Sequence, residues 1–488
     1  MSKKYITTTL PYVNADPHIG FALEIVQADT IARYWKLQGA DVVFNTGTDE
    51  HGQKIYQAAL KEGKDTQAYC DEYAAKFNEL KSALNLSYTH FIRTTDKHHV
   101  AAAQEFWQRC DKNGDIYKKN YKIKYCVGCE LEKTDSELVN DCCPLHPNLK
   151  LEIIEEENYF FRFSKYQQKL LELYEKNPQF VVPDFRLKEI KNFVENGLED
   201  FSISRLKSKM PWGVNVPGDP EHVMYVWFDA LVNYISTLGW PDSAKASPGK
   251  PNEFDQWWGS HKNPNAIQIA GKDNLRQQSA MWQAMLMSAG LPTSKQIIIH
   301  GFVTSDGQKI SKSLGNVINP VDLVRKYRTD AVRYFLLKEI PPFDDGDFSY
   351  RRMEEVYNSD LANVLGNLIS RVTNLCEQNE VTFLPEKEDT SLPATLNTGG
   401  FIDHLNRFEF NLALEELWRD FKSINGEINR DEPWNLEKDQ IMPYLRRYLK
   451  EIRKRTYWLQ IFLPETAEKI MQSTQGKIKK SPPLFPRI

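Results

Sequence analysis

No apolar run of ~18 residues occurs anywhere in the 488-residue chain, so no stretch reads as a transmembrane helix. The opening, MSKKYITTTL, passes straight into a β-branched run, so no secretory signal is expected. Cysteine is scarce. Seven in a chain of this length exclude a disulfide-framed scaffold, and four of them fall between 126 and 143. A reducing cytoplasm is the expected setting. Neither sign of charge dominates: the formal net charge is −4, with 26% of residues charged. That balance neither demands nor forbids nucleic acid, because a basic patch can sit on a mildly acidic chain. What remains is the composition of an ordinary globular protein, long enough for about three domains.

The stretch Tyr5–Gly20, YITTTLPYVNADPHIG, anchors the rest. Ile6 to Thr9 reads as a short buried strand, ended by Pro11. Asn14, Asp16 and Pro17 make a turn. His18-Ile19-Gly20 then opens an amphipathic helix with Ile25, Ala28, Ala32 and Trp35 on one face. A helix start just past a strand is an anion site, because its first N–H groups lack internal partners. His18 adds a donor there, and Gly20 removes a side chain that would block a phosphate. A turn histidine beside a helix-start glycine would look the same. Asp41 to Thr46 (DVVFNT) reads as a second buried strand, followed by a loop through Gly52 and another helix. This alternation predicts a doubly wound parallel sheet, with ligands at the carboxyl ends of its strands. Asp49 there can meet a substrate ammonium group or merely cap a helix. Helices are expected over 66–84 and 97–113, the second stopped at Gly114.

From Ile116 the texture changes. Cys126-Val127-Gly128-Cys129 is one knuckle, and Cys143-Pro144-Leu145-His146 is a second. Paired knuckles at this spacing predict a structural zinc site of three thiolates and an imidazole, with no open position for catalysis. Cys142 competes with Cys143, whose spacing to His146 matches the first knuckle. Glu155–Glu157 reads as a solvated edge. Strand texture returns over His222–Ala230, Ala266–Ala270 and Gln296–His300, so 116–221 reads as an insertion into one split nucleotide-binding domain. Trp227, Ala230 and Tyr234 fall at helical spacing, as a pocket wall or as plain core.

Asp306-Gly307 predicts a hairpin. The loop beyond it holds Lys309 and Lys312 among small polar residues, the makings of a cationic clamp for phosphate. From Ser349 on, long helices over about 350–377, 401–425 and 440–462 predict an antiparallel bundle. Arg446, Arg447, Lys450, Arg453, Lys454 and Arg455 give one helix a basic face, which either tracks an RNA backbone or is simply solvated. The tail after Gln475, with Pro482, Pro483 and Pro486, is an irregular strap or disordered.

His18-Ile19-Gly20 resembles the HIGH motif of class I aminoacyl-tRNA synthetases, and Lys309-Ile310-Ser311-Lys312-Ser313 resembles their KMSKS motif. With a zinc insertion between them, the chain to about residue 470 is similar to the methionyl-tRNA synthetase family, in the form with one knuckle pair and no appended C-terminal tRNA-binding module. The resemblance implies an α/β Rossmann-like catalytic domain over 1–115 and 222–300, a zinc-bearing connective insertion over 116–221, a linking fold with the KMSKS-like loop over 301–350, and an all-α anticodon-binding bundle with its tail over 351–488. It implies ATP-dependent activation of L-methionine to the adenylate and transfer to the 3′ end of methionine tRNA, initiator and elongator. The methionine residues it implies are Leu10, Tyr12, Asp49, Trp227, Ala230, Tyr234 and Gln278, with Asp49 facing the ammonium. Those for ATP are His18, Gly20, Glu24, Gly271, Asp273, His300, Lys309 and Lys312. His18, Lys309, Lys312 and Arg205 are implied in catalysis, and Asn367, Arg371 and Trp434 in reading the anticodon. One structural Zn2+, held by Cys126, Cys129, Cys143 and His146, and Mg2+ with ATP are the implied cofactors. No membrane partner is implied.

Three positions depart from the family. Its second HIGH histidine is Phe21, a pocket histidine is Gln278, and its Tyr-Gly-Thr-Asp reads Tyr327-Arg328-Thr329-Asp330. Three rivals follow. A leucine, isoleucine or valine enzyme needs an editing insertion for which the chain has no room. A cysteine enzyme binds its thiol through a catalytic zinc, whereas this one reads as closed and remote. A tRNA-binding paralogue without catalysis is motivated by Phe21.

Overall fold

Lys3–Thr7 (β1) and Asp41–Thr48 (β2) lie side by side in parallel, Tyr5 opposite Val43 and Ile6 opposite Phe44. The computed structural model describes residues 2–129, 131–133, 137–242, 253–310, 316–385 and 400–488. His90–Arg93 (β3) joins β2 on its outer side. On the far side of β1 come Ala266–Gly271, then Gln296–His300, then Val181–Val182, completing a six-stranded sheet. Its central strands are buried along nearly their whole length, as β-branched runs covered on both faces must be. Strand order runs outward in both directions from the pair β1 and Ala266–Gly271, the switch point at which such sheets bind ligands.

The chain packs as two units. The first comprises Met1–Asp16, Asp41–Asn78 and Tyr88–Ile299; the second comprises Pro17–Ala40, Glu79–Ser87 and His300–Ile488. In the first, the helix Lys97–Lys112 buries Phe106 and Trp107. Phe106 stacks on Trp282 at 5.5 Å, and Trp107 meets Phe228 edge-on at 5.2 Å. The insertion is built on an antiparallel pair, Ile116–Cys126 with Glu152–Phe161. Strand alternation turns Glu156 inward, where it pairs with Lys209 at 2.9 Å, so the acidic run is only partly a solvated edge.

The run His222–Ala230 is not one strand. The strand stops at Met224, and Val226–Ala230 is helical, with the Phe228 N–H closing onto the Tyr225 carbonyl. A continuous apolar run has no period of 2 or 3.6 to separate buried strand from buried helix.

In the second unit, Ile19–Leu37 (α1) packs against the helix Thr329–Lys338. Arg333 reaches Asp29 of α1 at 2.8 Å, both side chains wholly buried. Arg333 also donates to the carbonyls of Phe462, Leu84 and Ile461, which satisfy the rest of its fork. A single rod runs from Tyr350 to Gln378, with a π-helical stretch over Tyr357–Gly366. The helix expected over 401–425 is broken at Phe408, which sits at φ 62°, into Phe401–Asn406 and Phe410–Asp431. The tail is a strap: Gly476–Lys477 pairs with Thr382–Phe383, and Leu484 and Phe485 are buried. No described helix is long and apolar enough to cross a membrane.

Candidate functional site

In the first unit, the segment leaving β1 carries Leu10 and Tyr12 past the carboxyl edge of the sheet. Tyr12 forms an isolated parallel bridge with Asp49, in the loop that leaves β2. Val13 N–H donates to the Asp49 carbonyl at 3.2 Å, and Asp49 N–H donates to Pro11 at 3.0 Å. Asp49 is buried, and its Oδ1 lies 3.4 Å from the His51 N–H. Tyr12 meets Trp227 nearly edge-on, 6.3 Å between ring centres. The indole Nε1 of Trp227 has no hydrogen-bond partner among the described residues. Ala230 and Tyr234 are buried on the following turns.

Gln278 lies in a π-helical turn over Gln277–Met281. Its amide donates to the Tyr234 hydroxyl at 2.7 Å and accepts from Gln268 at 3.1 Å. The glutamine therefore holds Tyr234 by a neutral hydrogen bond that does not titrate. Arg205 is buried, donates to Ser202 Oγ at 2.7 Å and lies over the Tyr225 ring at 4.5 Å. Gly271 ends the strand beside β1, and Asp273 stands exposed in the turn after it.

The ligating atoms of Cys126, Cys129, Cys143 and His146 all lie within 4.8 Å of one another. Three thiols and an imidazole so gathered suit a tetrahedral divalent ion. Cys143, not Cys142, is the third thiol of the cluster. A Cβ at Gly128 would run into the His146 ring, so the knuckle needs glycine there. The cluster is not remote from the residues expected around the amino acid. Tyr125 and Val127 pack with Tyr12, Tyr225 and Trp227, and Lys54 both donates to the Gly128 carbonyl and lies 5.3 Å above the Tyr12 ring. Sequence spacing shows the ligands but not where the knuckle docks.

In the second unit, His18 caps α1, its Nδ1 accepting from Gly20 N–H at 3.1 Å. That bond leaves Nε2–H as the donor. Desolvation by the surrounding protein lowers the ring's pKa. Phe21 is buried in α1. Glu24 Oε2 lies 3.0 Å from His300 Nε2, while His300 Nδ1 donates to the Gly301 carbonyl at 2.7 Å. The hairpin forms as expected, with Asp306 at φ 49° and Gly307 at φ 73°, and Thr304 opposite Lys309. Lys312 lies outside the described residues, as does the Lys309 side chain. Asn367 is exposed on the long rod, and Arg371 one turn on lies over the half-exposed Trp434. The basic face is smaller than expected. Arg453 turns in to the Met471 carbonyl and Arg455 to Asp420, leaving Arg446 and Arg447 exposed.

Sequence reasoning missed the pair His51 and Asp229, buried and 2.9 Å apart. It also missed Glu50, whose carboxylate takes Arg93 at 2.6 Å and 2.9 Å. The acidic-basic spelling of the loop Gly47–Gly52 was the available signal.

The family model described as tRNA synthetases class I (M) matches residues 4–150 and 136–373. The methionine–tRNA ligase of Thermotoga maritima is 41% identical, over 98% of this chain and 76% of that protein. That of Synechocystis sp. is 42% identical, over 96% of this chain and 88% of that protein. Among solved structures, Mycobacterium tuberculosis methionyl-tRNA synthetase in complex with methionyl-adenylate superposes with a TM-score of 0.89 at 36% identity, covering 100% of both chains.

Proposed function

The chain belongs to the methionine–tRNA ligase family of class I tRNA synthetases, and on that premise we propose how its residues carry out the two steps. The protein activates methionine with ATP and charges tRNA. In the first step a methionine carboxylate oxygen attacks the α-phosphorus in line, and pyrophosphate leaves. In the second, a ribose hydroxyl at the tRNA 3′ end attacks the activated carbonyl, AMP leaves with the bonding pair, and the hydroxyl proton is released. Neither step needs a dedicated side-chain base, so positioning and charge stabilisation dominate.

The observation that carries the reading is the buried Asp49, whose backbone bridges to that of Tyr12 beside Trp227. Asp49 binds the ammonium; Leu10, Trp227, Ala230 and Tyr234, the last held by Gln278, line the thioether. Gly271, Asp273 and the Glu24–His300 pair bind the nucleotide, with Gly20 leaving room for a phosphate at the start of α1. His18 Nε2–H donates to a phosphate oxygen, and Lys309 and Lys312 meet the charge that grows on the leaving pyrophosphate. Phosphate charge would be further neutralised by Mg2+ bound with ATP. Arg205 is an active-site arginine. Cys126, Cys129, Cys143 and His146 would hold one Zn2+, which would serve a structural role. Asn367, Arg371 and Trp434 read the anticodon of initiator and elongator methionine tRNA, from the helical domain over 351–488. Seven cysteines, three of them gathered as metal ligands and none in a disulfide, favour a cytoplasmic setting.

The test is ATP–pyrophosphate exchange with a panel of amino acids. Methionine should support exchange far above leucine, isoleucine, valine and cysteine. No exchange with any amino acid would overturn the reading and leave a catalytically silent tRNA-binding paralogue.

A further inference from the structure

The loop after β2 carries a buried pair that the roles above leave unused. His51 Nδ1 lies 2.9 Å from Asp229 Oδ2, with side-chain exposures of 7% and 0%. Asp229 belongs to the helix Val226–Ala230, which also carries Trp227 and Ala230. Its second oxygen, Oδ1, has no hydrogen-bond partner among the described residues. The hold on this carboxyl is therefore the His51 ring. Burial pushes its pKa up, and His51 opposes that. A buried pair with one oxygen unsatisfied is a poor stability device, because desolvation offsets the attraction. Its value is positional.

His51 is tied to Asp49 as well. Its backbone N–H lies 3.4 Å from Asp49 Oδ1. Its ring packs 5.8 Å from that of Trp212, whose indole donates to the Glu50 carbonyl at 2.5 Å. On the other side, Arg93, Thr48 and Thr95 grip the Glu50 carboxylate. The segment Asp49–His51 is thus fixed to the sheet through Glu50 and to the helix of Trp227 through His51.

We propose that His51, anchored by Asp229, is a positioning residue for the amino-acid site, setting the span between the Asp49 carboxylate and the wall formed by Trp227 and Ala230. This inference rests on the reading of Asp49 as the ammonium ligand. An α-amino acid is held at two ends, so a fixed span lowers the ordering cost of binding it and leaves ATP untouched.

The experiment is pyrophosphate exchange on the purified full chain, with methionine and ATP varied separately. His51→Ala should raise the methionine KM about tenfold, with the ATP KM changed by less than about twofold and kcat moving less than the methionine KM. His51→Asn should recover most of that loss, because its amide nitrogen takes the place of Nδ1 and still donates to Asp229. His51→Gln puts its nitrogen at the Nε2 place and should stay impaired. If thermal unfolding shows that His51→Ala does not fold, the contrast between the Asn and Gln variants carries the test. An unchanged methionine KM in His51→Ala, a parallel rise in both KM values, or equal KM values for the Asn and Gln variants overturns the proposal. Asp49→Asn separates the two levels. If it leaves the methionine KM unchanged, the reading of Asp49 fails; if it raises that KM while His51→Ala does not, the positioning claim alone fails.

Discussion

The Arg371 guanidinium lies over the Trp434 ring, 4.7 Å from its centre, and donates to Asn429 at 2.6 Å. Trp434 is 49% exposed, in the turn Pro433–Asn435. A core plug would be buried; this indole carries a cation over its ring and remains half exposed. Such a ring is ready to stack on an unpaired base, which contributes ~1–3 kcal/mol per base. Trp434→Ala should lower kcat/KM for charging methionine tRNA roughly ten- to a hundredfold. Exchange without tRNA should stay near normal, since half-exposed truncation costs little stability. Normal charging by this variant would remove Trp434 from anticodon reading.

The metal cluster makes a second prediction, sharper for its packing. Metal analysis should find about one zinc per chain, lost in Cys143→Ser and kept in Cys142→Ser. Because Tyr125 and Val127 of the first knuckle pack with Tyr12 and Trp227, loss of the ion should also raise the methionine KM. A zinc-free Cys143→Ser protein with an unchanged methionine KM would show that the knuckle is uncoupled from the amino-acid site.

These two sites mark what the sequence could and could not show. The four knuckle ligands are legible because their spacing is local and thiol-metal chemistry admits few alternatives. Their docking beside Tyr12 is not, because it depends on where a whole insertion lands. Four of the sheet's six strands were legible, since apolar runs such as those in β1 and β2 are covered on both faces in a parallel sheet, whereas His90–Arg93 and Val181–Val182 are too short to carry a pattern, and the second lies inside the expected insertion. Met224 to Ala230 was not, because uniform burial erases the period. The basic helix Lys438–Leu459 misled in another way. Long arginine stems can turn inward to carbonyls and carboxylates, as Arg453 and Arg455 do. His51 and Asp229 stand 178 residues apart, and no local pattern joins them.

Arg328 stands where the resemblance implies glycine, and its backbone shows why glycine suits. It adopts φ 74° and ψ 158°, a region that L side chains enter at a cost of ~1–3 kcal/mol. Among the described residues its exposed side chain makes one long bond, 3.3 Å to the Leu484 carbonyl. Arg328→Gly should therefore stabilise the protein by about 1 kcal/mol, after the extra freedom of glycine in the unfolded chain is deducted. Arg328→Ala keeps the Cβ and should gain nothing. Chemical denaturation distinguishes them; a destabilised Arg328→Gly would mean the tie to the tail outweighs the strain.

His99 gives stability an acid dependence. Its ring is wholly buried, with Nδ1 2.9 Å from Ser236 Oγ and no partner for Nε2 among the described residues. Burial, helped by His51 and His98, pushes its pKa down to about 3. An unfolded histidine takes its proton near pH 6.5. Between those values the unfolded chain binds a proton that the folded chain refuses, so stability falls as pH falls, by at most ~1.4 kcal/mol per pH unit. Above pH 6.5 the group is neutral in both states and contributes no slope. His99→Asn keeps a hydrogen-bonding group for Ser236 but cannot titrate. At pH 7 it should be less stable than the parent, because it leaves a small cavity. Toward pH 5 the gap should close by up to ~2 kcal/mol, because only the parent pays for refusing the proton. Urea denaturation at pH 7, 6 and 5 reads this directly, and parallel stability curves for the two proteins would show that His99 is protonated in the folded state.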